Sequence, residues 1–113
     1  MTDARQFLSA ADLLTDAGNG DVVATNAVHA AIAAADVLCC LHLGRRSTDG
    51  NHESAISLLA GVGHEHATQL RRALARKQQA GYESRDLSDS EATICVEAAR
   101  RLVTAADAAV ERL

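Results

Sequence analysis

Arg71, Arg72, Arg76 and Lys77 make the densest run of positive charge in a chain of 113 residues. Cationic side chains so close in sequence can neutralise the phosphates of an RNA backbone, and the same run can equally be a solvated helix face. Arg72 and Arg76, four apart, align on a helix, whereas Lys77 swings toward the apolar side, from which its stem can snorkel. Cys39 with His42, and His64-Glu65-His66, bring metal-ligand types together. Neither spacing fixes four ligands on one ion, so no metal is expected, and no cofactor motif is present. The chain has no Gly-rich phosphate loop, no GxSxG elbow and no HExxH helix. Nucleotide hydrolysis, esterase and metalloprotease chemistry therefore have no motif to rest on.

These side chains need elements to hold them, and the longest is Val22 to Leu43. It contains no Pro or Gly and is rich in Ala, the best helix former. Gly20 and Asp21 precede it and Gly44 follows, which punctuates both ends of a helix. Val23, Ala27, Ala30, Ala34, Leu38 and Leu41 recur at steps of three and four, and Val28, Ala31, Ala35 and Leu43 widen that arc. Such a helix belongs at the centre of a bundle. Its length reaches that of a membrane span, but Asn26, His29 and Asp36 argue against one. Asp36 lies in line with His29 on the least apolar strip, together with Ala33 and Cys40.

Around this centre the pattern predicts four more helices. Residues 3–17 place Ala4, Phe7, Leu8, Ala11 and Leu14 on one face, and Ala17-Gly18-Asn19-Gly20 is a turn. Gly44 to Asn51 is a polar loop in which Asp49 or Asn51 can cap a short helix over 52–60. Residues 64–80 carry Ala67, Leu70, Ala73, Leu74 and Ala80 inward, with Gly81 as the stop. Ser88-Asp-Ser-Glu91 is a capping-box pattern opening the last helix. That helix has two apolar seams, Ile94-Ala98-Leu102-Ala105-Ala109 and Ala99-Val103-Ala106-Val110. The expected fold is a single all-α domain over 1–113, an antiparallel up-and-down bundle of about five helices.

Composition agrees with helices rather than a sheet. Phe7 and Tyr82 are the only aromatics and Pro is absent. A net charge of −4 speaks against a general nucleic-acid or anionic-membrane binder, while leaving local basic patches open. The odd set Cys39, Cys40 and Cys95 forms no disulfide framework, and buried, reduced thiols in a cytoplasmic protein are expected. The first residues have neither the basic start nor the apolar core of a signal peptide.

Ala31-Ile-Ala-Ala-Ala-Asp36, the Leu43-Gly-Arg-Arg-Ser47 loop, His52 heading a short helix, and Lys77-Gln-Gln-Ala-Gly-Tyr82 before an Ala-rich final helix together carry a likeness. Over nearly its whole length the chain resembles the HEPN domains of prokaryotes. That resemblance implies a bundle of four or five helices, found in toxins paired with nucleotidyltransferase antitoxins, in RNA-cleaving defence proteins and in non-catalytic modules. The family's ribonuclease signature is an Arg and a following His with four to six residues between them. Arg46 and His52, or Arg45 and His52, fit that spacing. A histidine can move the 2′-hydroxyl proton while an arginine holds the scissile phosphate, without a metal. Asp36 could orient either partner from across the bundle, or could pair with a loop arginine for structure alone. The family's Arg often has Asn, Asp or His close behind it, whereas Ser47 and Thr48 follow here.

Two functional readings follow. One is a HEPN-like module that dimerises and binds RNA, a nucleotide or a partner protein without catalysis. The other is a metal-independent endoribonuclease or toxin using Arg46 (or Arg45) and His52, with Asp36 in support. A homodimer through the last helix is expected from its two adjoining seams, which exceed what one side of a bundle can cover.

Overall fold

The computed structural model describes residues 1–15 and 20–113. Among them are α1 (Thr2–Thr15), α2 (Gly20–Leu43), α3 (His52–Ala60), α4 (His64–Tyr82) and α5 (Asp89–Glu111), with no strand. The chain is an all-α bundle, as composition and periodicity predict. Most of the turn expected at 17–20 falls outside the described residues, and Gly20 itself is already helical.

α2 occupies the middle. Val23, Ala24, Ala27, Ala30, Ala31, Ala34 and Leu38 are at most 3% exposed, so the helix is covered on more than one side. It packs against α5 and α1 most extensively, and less against α4 and α3. Ala side chains make this possible, because they let neighbouring backbones approach closely without cavities. By length and composition α2 could cross a membrane, but more than half of that apolar window is buried inside the bundle. Leu41 and Leu43, expected on the inner arc, are instead 37% exposed each. Gly44 ends α2 at φ +71°, the left-handed conformation that glycine adopts without a Cβ penalty.

The other helices form for legible reasons. Asn51 caps α3, its Oδ1 accepting from the backbone N–H of Glu53 at 2.8 Å. In α4 the predicted face of Ala67, Leu70, Ala73, Leu74 and Ala80 is the buried one. Gly81 does not stop that helix. It continues to Tyr82 and closes through Ser84, which takes φ +54° while the N–H of Arg85 reaches the carbonyl of Ala80. α5 opens with the predicted capping box: Glu91 N–H donates to Ser88 Oγ at 3.2 Å, and Ser88 N–H donates to Glu91 Oε1 at 3.1 Å.

α1 lies antiparallel to α5. Arg5 pairs with Asp107 near one end and Arg100 with Asp12 near the other. Asp21, in the first turn of α2, accepts the Leu87 N–H at 3.0 Å and so ties the α4–α5 connection down.

Candidate functional site

The loop residues Arg45 and Arg46 and the start of α3 are the first place where chemistry was expected. Arg46 turns back onto α2, with its Nη1 3.7 Å from Asp36 Oδ2. Asp36 is half-buried, and burial pushes its carboxyl above the ordinary range, with Arg46 offsetting part of that rise. Both residues line a cleft of about 310 Å³ between the start of α1, α2 and the loop. His52 does not line it. The side chain of His52 sits in the first turn of α3, and no hydrogen bond or ion pair joins it to Arg46, Arg45 or Asp36 among the described residues. Asp49, by contrast, is a structural acid: its Oδ1 accepts from Asn51 N–H at 2.9 Å, which holds its carboxyl below the usual range. The structure thus brings Asp36 and Arg46 together and leaves His52 apart from them.

His29, on the Asp36 strip of α2, packs its ring 5.1 Å from that of Phe7 in α1. Among the described residues no three His, Cys, Asp or Glu side chains come together as a metal site would need. Cys39 and Cys95 are buried, and burial pushes both thiols up, away from reactivity. Cys40 departs from the expectation of buried thiols. It follows Cys39 by one residue, a rotation of about 100° on a helix, and is exposed.

The basic run of α4 is dispersed by the same geometry. Arg71 faces α3, with Nη1 3.5 Å from Glu53 Oε1. Lys77 is half-buried and close enough to Asp21 and Cys95 to act on their ionisation. Arg72 and Arg76 line a groove of about 250 Å³ between α4 and α5, where they meet Arg101 from the facing helix. Ile94 and Ala98 form its apolar part, and Glu97 is the one acidic residue lining it. Gln69 closes one end, its buried side chain donating to Glu65 Oε1 at 2.9 Å.

The pairing pattern sets this groove apart. Arg5, Arg46, Arg71, Arg85 and Arg100 each have a carboxylate partner. Arg45, Arg72, Arg76, Arg101 and Arg112 have no ion pair among the described residues, and three of these five, Arg72, Arg76 and Arg101, share one groove. Arg101 could not be found from sequence as part of a site, since only the α4–α5 packing places it opposite Arg72 and Arg76.

Compared with known protein families, curated proteins and solved structures, the chain matches none.

Proposed function

We propose that this chain is a non-catalytic helical module that binds RNA through the phosphate groups received by the α4–α5 groove. The observation that carries the reading is the convergence of Arg72, Arg76 and Arg101 without carboxylate partners. Unpaired guanidinium groups facing one another repel, and a phosphate between them relieves that repulsion while accepting charge-assisted hydrogen bonds. The likeness to HEPN domains enters the proposal through the residues that carry it and adds the non-catalytic members as a precedent. The endoribonuclease reading asks Arg46 and His52 to act together, and it is weaker because Arg46 lines a cleft with Asp36 while His52 stands outside it.

Titration of a short single-stranded RNA tests this. Contact with one to three phosphates gives a log K against log salt slope of roughly −0.7 to −2. Arg72→Gln and Arg76→Gln should each weaken binding and flatten that slope, with the RNA left intact in metal-free buffer. Absence of binding at low salt, or a slope indifferent to both substitutions, would overturn the reading. Cleavage by the parent that disappears in His52→Ala would install the endoribonuclease in its place.

A further inference from the structure

Resting on the RNA-binding reading, we infer that the α4–α5 groove is built for a terminal phosphate, a phosphomonoester or the end of a polyphosphate, rather than for a phosphodiester within a strand. Charge comes first. Arg72, Arg76 and Arg101 against Glu97 leave the groove with a net charge of +2, all four residues lining it. A terminal phosphate carries about −1.5 to −2 at neutral pH and offers three acceptor oxygens. A diester carries a single charge and has only two free oxygens. Three guanidinium forks from two helices therefore find one partner oxygen each on a terminal phosphate, and one fork is left over on a diester.

The ends of the groove point the same way. Beyond Gln69 lies Glu65, hydrogen-bonded to it at 2.9 Å. In the other direction Glu83, which caps the C-terminal end of α4, lies seven residues past Arg76. Glu83 and Glu91 are both held there by Arg85, at 2.6 Å and 2.7 Å. A strand running lengthwise would pass carboxylates on entering and on leaving. A compact group entering from the open side meets only the arginines and Glu97. Ile94 and Ala98 offer no aromatic face for stacking a base, so recognition falls on the phosphate itself.

Two versions of a short RNA labelled at the 3′ end, one with a 5′-phosphate and one with a 5′-hydroxyl, separate the possibilities, with inorganic pyrophosphate as competitor. The 5′-phosphate form should bind about tenfold tighter, the worth of one added charge-assisted contact, and Arg101→Gln should erase the preference. Arg101 is exposed, so its loss should leave the helical circular dichroism unchanged, and Arg72→Gln provides a second, independent variant. Pyrophosphate that displaces the 5′-phosphate RNA assigns the site to a terminal phosphate on either carrier. Pyrophosphate that binds where neither RNA does assigns it to small phosphates and removes the RNA reading alone. Equal binding of the two RNAs, abolished by the arginine variants, overturns the terminal-phosphate inference and leaves RNA binding in place. Failure of all three probes, or a preference that survives both variants, overturns it as well.

Discussion

At Asp36 burial and attraction oppose each other, and burial prevails: the carboxyl is pushed up although Arg46 lies 3.7 Å away. The reason is solvation. The Arg46 side chain is 61% exposed, so water screens its charge, while Asp36 has already given up much of its own hydration. An acid whose folded pKa is raised contributes stability that is fully present below its unfolded pKa and lost as pH rises through the folded value. Asp36→Asn should therefore melt higher than the parent near pH 7 and match it near pH 3, below the ordinary carboxylate pKa of about 3.9. The gain should be a few degrees at most, because Arg46 already offsets part of the cost. Melting curves at the two pH values check this. A lower melting temperature for the Asn variant near pH 7 would show the ion pair to be net stabilising. The same comparison bears on function, since an Arg46 bound firmly to Asp36 is withdrawn from a substrate phosphate.

Elements were legible in the sequence where local chemistry decides them, and not where packing does. The buried face of α4, the Asn51 cap and the Ser88–Glu91 box all follow from residue type at short spacing. The box is reinforced by a residue that the motif does not contain. Arg85 grips both carboxylate oxygens of Glu91, at 2.7 Å and 3.0 Å, and holds its carboxyl down at about 2. Glycine punctuation misled at two places for opposite reasons. Gly81 sits inside α4, where a Cβ would meet nothing within 4 Å, so no constraint asks for glycine there. Gly20 lies inside α2 rather than before it, and there a Cβ would stand 2.6 Å from the carbonyl oxygen of Leu87. The two positions should respond with opposite signs to alanine. Gly20→Ala should cost about 1–3 kcal/mol by forcing the α4–α5 connection away and straining the Asp21–Leu87 hydrogen bond. Gly81→Ala should gain up to about 1 kcal/mol through helix propensity alone. Denaturant unfolding of both variants measures this, and equal signs would contradict the close approach. The candidate groove was half legible for the same reason: Arg72 and Arg76 share a helix face by spacing, whereas Arg101 joins them only through tertiary packing.

At the scale of the whole molecule, the two apolar seams of α5 decide how a second copy could bind. Counting residues suggested a surplus face, since a helix on one side of a bundle needs an arc of only about 100°. In the structure α5 is sandwiched between α2, α4 and α1 rather than laid on one side. Ala98, Leu102 and Ala109 of one seam and Ala99, Val103 and Ala106 of the other are all buried within the chain. Small side chains explain how so wide an arc is filled, because an Ala-rich seam admits a neighbour on each flank. Most of both seams is therefore spent on the bundle's own core, with Ile94, Ala105 and Val110 left half-buried, and a homodimer through α5 stays a proposal. Val103, at 4% exposure, separates the two arrangements. If the seam is core, Val103→Glu buries an unpaired charge and should cost on the order of 4 kcal/mol, lowering or abolishing the cooperative thermal transition. Thr104→Glu, one residue on and exposed, should leave the transition almost unchanged. If the seam were instead a dimer surface, Val103→Glu would yield a folded chain of half the parent mass by light scattering. A folded, monomeric Val103→Glu protein derived from a dimeric parent would sink the core assignment, and an unfolded one confirms that α5 serves the bundle itself.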